Sequence, residues 1–292
     1  MRLKDLISVL LIETQNLRSI FITTDRRETD MSVAIITGAS SGLGGEFSRQ
    51  LIRKEKDITE IWLIARRKER LLEMGEELKK IKPSLIVRAM SLDLLQEEAL
   101  NLYEDRLERE KPRVSWLINA AGFGKIGENK DLSRRDLDNM ILLNDKAAVD
   151  MTQITIPYMI KYSHILEICS IAGVQPLPGL GVYAASKAFL ISYSRSLRFE
   201  LFKKKIYVTA VCPYWVKDTE FIPVAQDKAA PSAVKHFPLS SRMKSVVSWA
   251  LFDARLRLAV STPSPVALCE EFLAKFLPNG ITISAWEGIR RL

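Results

Sequence analysis

"VAIITGASSGLG", Val33 to Gly44, is the stretch on which the fold turns. Val33 to Thr37 is a short apolar run rich in β-branched residues, which reads as a strand. Thr37-Gly38-Ala39-Ser40-Ser41-Gly42-Leu43-Gly44 then opens a helical pattern. Glycines at such a junction permit a tight turn and let backbone N–H groups come close to an anionic group at the positive end of the helix. A plain strand-to-helix turn looks the same in isolation, so the surrounding pattern has to decide.

That pattern alternates. Further short apolar runs, Ile61–Ala65, Leu85–Ala89, Val114–Asn119, His164–Cys169 and Ile206–Val211, are separated by long segments with helical periodicity. Strands spaced in this way need crossover helices, which implies a parallel sheet covered on both faces. The expectation is an α/β fold, a doubly wound parallel sheet of about seven strands, with its ligand crevice at the carboxyl ends of the strands. Placed after the first strand, Gly38, Ser40, Ser41, Gly42, Leu43 and Gly44 then read as the cradle of a dinucleotide pyrophosphate.

The other strand ends extend this reading. The second strand runs into Arg66-Arg67, where a site selecting NAD offers a carboxylate to the ribose hydroxyls. Guanidinium forks suit a 2′-phosphate instead, which points to NADP(H); the plainer reading is that Arg66 starts a solvated helix. Asp93 follows the third strand, where its carboxylate could meet an adenine amino group or cap a helix. Asn119-Ala120-Ala121-Gly122 closes the fourth, with small side chains where a cofactor passes close to the backbone.

Ser170 ends the fifth strand, and "YAASK", Tyr183 to Lys187, follows after a loop. On a helix, residues four apart share a face about one turn apart, so a phenol stands beside an ammonium group. A free phenol titrates near about 10. A neighbouring cation, joined by the positive ring of an oxidised nicotinamide, is expected to bring it down toward working pH. Tyr183 can then give a proton to a carbonyl oxygen or take one from an alcohol, with Ser170 holding the same oxygen. A packed ring and a solvated amine are the ordinary fates of such a pair; the glycine turn and Ser170 favour chemistry.

"TGASSGLG", "NAAG", Ser170 and "YAASK", in this order and spacing, resemble the classical short-chain dehydrogenase/reductase family from Met31 to Thr219, with a looser likeness beyond. The resemblance implies a Rossmann-type domain, catalytic roles for Ser170, Tyr183 and Lys187, and contact of Lys187 with the nicotinamide ribose. It places Asn144, in "LLNDKAAVD", where the family has an asparagine that helps hold a water in a proton relay to the lysine. It also sets Pro213, Val216 and Thr219 against the cofactor. The chain departs from the pattern after the sixth strand: Tyr214 stands where the family usually has glycine, and Asp218 falls by count on the threonine that meets the carboxamide, with Thr219 next.

Composition bounds the rest. With 292 residues, 47% hydrophobic, the chain can bury a continuous core. Lys and Arg number 43 against 35 Asp and Glu, a net charge of +8, but the excess is scattered and its short runs lack interleaved aromatics, so no nucleic-acid partner is expected. Cys169, Cys212 and Cys269 form no C-x-x-C pair, consistent with a reducing, cytoplasmic setting. His164 and His236 lack metal-ligand spacing, so no metal site is expected. No apolar run reaches the length of a membrane span, which leaves peripheral membrane contact as the open case. Residues 1–30 carry a short apolar run ended by Glu13 and then a polar stretch; they read as a helical or poorly ordered extension, with no signal-peptide cleavage pattern, ahead of a domain from Met31 to Leu292.

The C-terminal third reads as the substrate end. Residues 214–245 form a candidate lid rich in bulk, with Tyr214, Trp215 and Phe221 foremost, then Ile222, His236, Phe237 and Met243. Such a lining suits an apolar ketone or secondary alcohol such as a steroid, though the same residues can simply pack the lid down. Arg257–Ser261 reads as a last strand, and an amphipathic helix over about 265–277 covers the domain, the pocket or a partner. The tail resembles the endings of family members acting on lipophilic ketones, and homo-oligomers are usual in the family. The resulting expectation is NADP(H)-dependent interconversion of a carbonyl and an alcohol. Its rivals are a 3-oxoacyl thioester reductase and a non-catalytic NADP-binding regulator.

Overall fold

The computed structural model describes residues 31–226 and 239–291. The extension at 1–30 and the lid residues His236 and Phe237 lie outside the described residues. From Ser32 the chain alternates strand and helix: β1 Ser32–Thr37, α1 Gly42–Lys54, β2 Ile58–Ala65, α2 Lys68–Ile81, β3 Ile86–Ser91, α3 Glu97–Glu110 and β4 Val114–Asn119. Helix α4, Arg134–Ile141, passes through a π-helical turn, Leu142–Lys146, into α5, Ala147–Thr155. There follow β5 Met159–Ile168, α6 Gly181–Leu201, β6 Tyr207–Val211, a short α7 Phe221–Ala225, α8 Met243–Arg255, β7 Val260–Ser261, α9 Pro265–Phe276 and α10 Asn279–Arg291.

The seven strands form one sheet in the order β3-β2-β1-β4-β5-β6-β7, every pair parallel. The near-continuous apolar runs of the sequence are the reason: a parallel strand is buried on both faces, so both sets of alternating side chains must be apolar. Ala34, Ile36, Ile61, Leu63, Trp116 and Ile118 pack on one side with Phe47 and Leu51 of α1, Leu71 of α2 and Leu251 of α8. Val33, Ile35, Trp62, Ile64 and Leu117 pack on the other with Tyr103 and Leu107 of α3, Met151 of α5 and Leu197 of α6. This is the doubly wound, Rossmann-type arrangement that the alternation implies.

Three details differ from the sequence reading. The last strand shrinks to Val260–Ser261, because α8 runs to Arg255 and Arg257 takes a left-handed turn (φ 59) whose N–H caps the carbonyl of Ala254. β5 starts earlier, at Met159, and absorbs a positive φ at Tyr162. Met243 opens α8 and does not line the lid, since α8 packs on α1.

Helix α6 lies hard against the loop that follows β5. A methyl group on Gly173 would sit 2.6 Å from the carbonyl carbon of Lys187 and 2.7 Å from the nitrogen of Ala188. Neither backbone atom can yield without moving the helix. Gly173→Ala is expected to destabilise the fold by about 3 kcal/mol, as overpacking does, and to lower the Tm by several degrees in calorimetry; an unchanged Tm would contradict this packing.

Candidate active site

The carboxyl ends of the central strands open onto one elongated cavity of about 690 Å³. At its first end lies the turn from β1 to α1. Gly38 has φ +66, and a Cβ there would sit 2.7 Å from the carbonyl oxygen of Ala120; a Cβ on Gly44 would strike the carbonyl oxygen of Gly38. Only glycine fits at either position, which leaves backbone facing the cavity at the amino end of α1. Ser40, Ser41, Gly42 and Leu43 line the same wall.

Arg66 and Arg67, directly after β2, border this end. The Arg67 guanidinium donates to Ser40 Oγ at 3.2 Å and Ser41 Oγ at 2.6 Å, and pairs with Glu220 at 3.0 Å. Arg70 joins the same carboxylate, and the two guanidinium groups hold Glu220 below the usual carboxylate range. Asp93 lines the cavity, and its Oδ1 accepts from the N–H of Leu95 at 3.2 Å. It closes an Asx turn and does not cap α3, which begins at Glu97.

Deeper in, Ala120 and Gly122 after β4 border the cavity, but the side chain of Asn119 does not. Its Nδ2 donates to Thr152 Oγ1 at 2.8 Å and to Glu167 Oε1 at 2.9 Å, tying β4 to α5 and β5 inside the core. The side chain of Asn119 thus alternates away from the crevice, and its small successors face it.

Ser170, Tyr183 and Lys187 converge on one stretch of wall. Ser170 Oγ accepts from the N–H of Ala172 at 3.2 Å, which turns the chain just after β5. Lys187 Nζ donates to the carbonyl of Ile168 at 2.8 Å and stands 5.8 Å from the centroid of the Tyr183 ring. Tyr183 is 7% exposed, its ring 5.4 Å from that of Phe221. Gly124 makes room for both rings, since a Cβ there would lie 2.9 Å from each.

Burial adds a contribution that the sequence expectation left out. Burial pushes the Tyr183 phenol up to about 12, and its hydrogen bond with Ser170 only partly opposes this. Burial likewise holds the Lys187 ammonium below its ordinary value. For both groups desolvation is the largest contribution.

Asn144 is fully buried within the π-helical turn. Its Oδ1 accepts from the N–H of Phe123, and its Nδ2 donates to the carbonyl of Phe123 and to Ser186 Oγ, each at 3.0 Å. Ser186 in turn donates to the carbonyl of Tyr183 at 2.8 Å. The amide thus braces the Tyr183 helix; it does not itself line the cavity.

After β6, Pro213, Tyr214, Trp215, Val216 and Thr219 border the cavity. Asp218 does not, because its Oδ1 accepts from the N–H of Met243 at 2.7 Å and so caps α8. Thr219 donates to the carbonyl of Val216 at 3.1 Å. Of the two neighbours on the family's threonine position, Thr219 is the one at the cleft.

The far end is closed by residues that reasoning from motifs missed. Leu273 of α9 and Ile281 and Trp286 of α10 face Phe221 across the space, and Trp286 Nε1 donates to the carbonyl of Pro178 at 2.9 Å. The helical stripe over 265–277 carried this signal. Gln175, Glu220 and Glu270 also line the cavity, and no local pattern marks them.

This geometry defines a nucleotide-binding α/β oxidoreductase, and comparison with known proteins narrows the class. Residues 32–229 match the short chain dehydrogenase family model. The chain belongs to the short-chain dehydrogenase/reductase family, an oxidoreductase family. It is 31% identical over 230 residues to sulfoacetaldehyde reductase 2 of Chromohalobacter salexigens, covering 77% of this chain and 88% of that protein. It is 29% identical over 234 residues to human very-long-chain 3-oxoacyl-CoA reductase, covering 76% and 73%. A short-chain dehydrogenase from Sphingobium yanoikuyae, solved in complex with NADPH, superposes with a TM-score of 0.72 at 28% identity, covering 89% of this chain and 97% of that one.

Beneath the site, Glu167 is wholly buried, and desolvation raises its carboxyl to about 7. An acid whose folded value is raised ionises more easily in the unfolded chain. It therefore supports the fold fully below its unfolded value of about 4.5 and progressively less up to about pH 7, by at most about 3 kcal/mol. Asp145, raised to about 7 by burial, acts in the same window. Between about pH 5 and about pH 8 the wild-type Tm is expected to fall, and Glu167→Gln to flatten that fall; identical slopes in thermal melts would refute the assignment.

Proposed function

We propose that the protein is an NADP(H)-dependent oxidoreductase that interconverts an apolar ketone or aldehyde and its alcohol. The observation that carries the reading is the convergence of Ser170, Tyr183 and Lys187 on one wall of a cavity whose other end is the glycine turn. The residues present fit such a cofactor, because a Cβ at Gly38 or Gly44 would collide with backbone of the same turns and one at Gly122 with Asn144, so these positions offer bare backbone for close approach. Gly38, Ser40, Ser41, Gly42, Leu43 and Gly44 would hold the pyrophosphate, and Ala120, Gly122, Pro213, Val216 and Thr219 the nicotinamide half. Arg66 and Arg67 would take the 2′-phosphate, Arg67 exchanging Glu220 for it, with Asp93 near the adenine. The NADPH bound by the Sphingobium relative supports this choice.

A bound nicotinamide supplies or accepts the hydride and, when oxidised, brings a positive charge beside the phenol. Tyr183 passes its proton to the substrate oxygen in reduction and withdraws one in oxidation. Ser170 donates to that same oxygen as charge develops on it. Lys187 favours the phenolate and touches the ribose, and Asn144 fixes the helix that carries both residues. Tyr214, Trp215, Phe221 and the faces of α9 and α10 receive the apolar body of the substrate. A 3-oxoacyl thioester reductase is the second reading, favoured by the likeness to the human 3-oxoacyl-CoA reductase and by the apolar far wall.

Tyr183→Phe removes the proton donor and keeps the ring. Ketone turnover, followed by cofactor absorbance, is expected to fall by about 100-fold or more, while NADPH fluorescence still reports binding; undiminished turnover would exclude the acid/base role. Tested side by side, alicyclic ketones and 3-oxoacyl thioesters distinguish the two substrate readings.

The cofactor choice has its own measurement. kcat/KM for NADPH is expected to exceed that for NADH by roughly tenfold or more, from charge-assisted hydrogen bonds to the phosphate. Replacing Arg66 and Arg67 together with alanine should erase most of this ratio. A native preference for NADH would overturn the assignment to NADP(H).

A further inference from the structure

The wall of the cavity contributed by α9 is not uniformly apolar. Val266, Glu270 and Leu273 share the face turned to the cavity, whereas Phe272 and Phe276 point outward and stay exposed. Glu270 Oε1 accepts from Gln175 Nε2 at 2.9 Å; Gln175 lies in the loop that leads from Ser170 to α6. The second carboxyl oxygen, Oε2, makes no hydrogen bond among the described residues, and no cation pairs with Glu270 there. The cations that line the cavity among those residues are Arg66 and Arg67 at the glycine turn and Lys187, whose ammonium is bonded to Ile168.

Tyr214 is the third member of the group. It stands where the family usually has glycine, lines the cavity, and has a phenol raised by burial and then by the charge of Glu270. Burial also raises the Glu270 carboxyl itself, only partly offset by Gln175. Three separate segments thus place a carboxyl, an amide and a phenol on the wall of one cavity, the first two hydrogen-bonded to each other, in a largely apolar lining. Such a group is costly to leave unmatched when an apolar ligand displaces water.

Resting on the function proposed above, we infer that Gln175, Tyr214 and Glu270 form a polar subsite that takes a hydroxyl on the substrate remote from the reacting carbonyl, and that turns away substrates with an anion in that place. The substrate class is a neutral, largely apolar hydroxyketone or the corresponding diol. The hydroxyl donates to Glu270 Oε2, and the Tyr214 phenol can donate to its oxygen. An anion there meets a carboxylate with no compensating cation.

The test uses the full-length enzyme with NADPH and three probes: a decalone, the same decalone with a hydroxyl at the ring position farthest from the carbonyl, and the same decalone with a carboxylate there. The readout is the ratio of kcat/KM between probes within each variant, so that differences in the amount of folded enzyme cancel. The wild type is expected to favour the hydroxylated over the plain probe by roughly tenfold and to disfavour the carboxylate by a similar factor. Glu270→Leu should bring the hydroxyl preference to within about twofold of parity, and the nearly isosteric Glu270→Gln should relieve the rejection of the carboxylate. Ratios in both variants equal to those of the wild type overturn the subsite while leaving ketone reduction intact. Failure of the wild type to turn over any of the three, with NADPH bound by fluorescence, overturns the proposed function and the subsite together.

Discussion

The whole site rests on the seam between β1 and β4. These strands are adjacent, but the chain leaves them in opposite directions across the sheet, so their carboxyl ends part and a crevice opens. Thr37 closes the seam beneath it: its hydroxyl oxygen accepts from the N–H groups of both Ala120 and Ala121 at 3.0 Å. Gly38 can then pass the carbonyl of Ala120 only because it has no side chain. A threonine and a glycine in sequence thereby join the two turns that form the floor of the crevice.

A second constraint is the burial of charge beside that floor. Lys187 is 5% exposed and Asp145 and Glu167 are buried near it, so three ionisable groups share a poorly solvated space. Each has its charged form disfavoured by desolvation; the Lys187 ammonium partly relieves both carboxyls, and they partly relieve it. The Tyr183 phenol lies at the edge of this group and is raised by the same cause. Under the proposed acid/base role, charge that opposes this burial has to come from groups facing the phenol.

The family pattern and the departures from it divide along the length of the cavity. The glycine turn and the Ser170, Tyr183 and Lys187 wall follow the family pattern. Tyr214, where the family usually has glycine, lines the rest of the cavity with Glu270 and the faces of α9 and α10. Asp218 shows how a departure can be neutral for the cleft: it is drawn off to the first turn of α8, and Thr219 takes its place at the wall.

The sequence by itself determined the alternation of strands and helices, the glycine turn, and the identity of the hydroxyls and the amine. These are local features, set by side-chain period, by β-branching and by the one residue that tolerates a missing Cβ. Only the tertiary structure decided that Asn119 turns into the core, that Asn144 braces a helix, that Asp218 caps α8 and that Gln175 meets Glu270 across 95 positions of chain. It also buried the Tyr183 phenol, which raises it. Burial and distant hydrogen bonds depend on which segments are brought together in space, and no pattern of neighbouring residues carries that information.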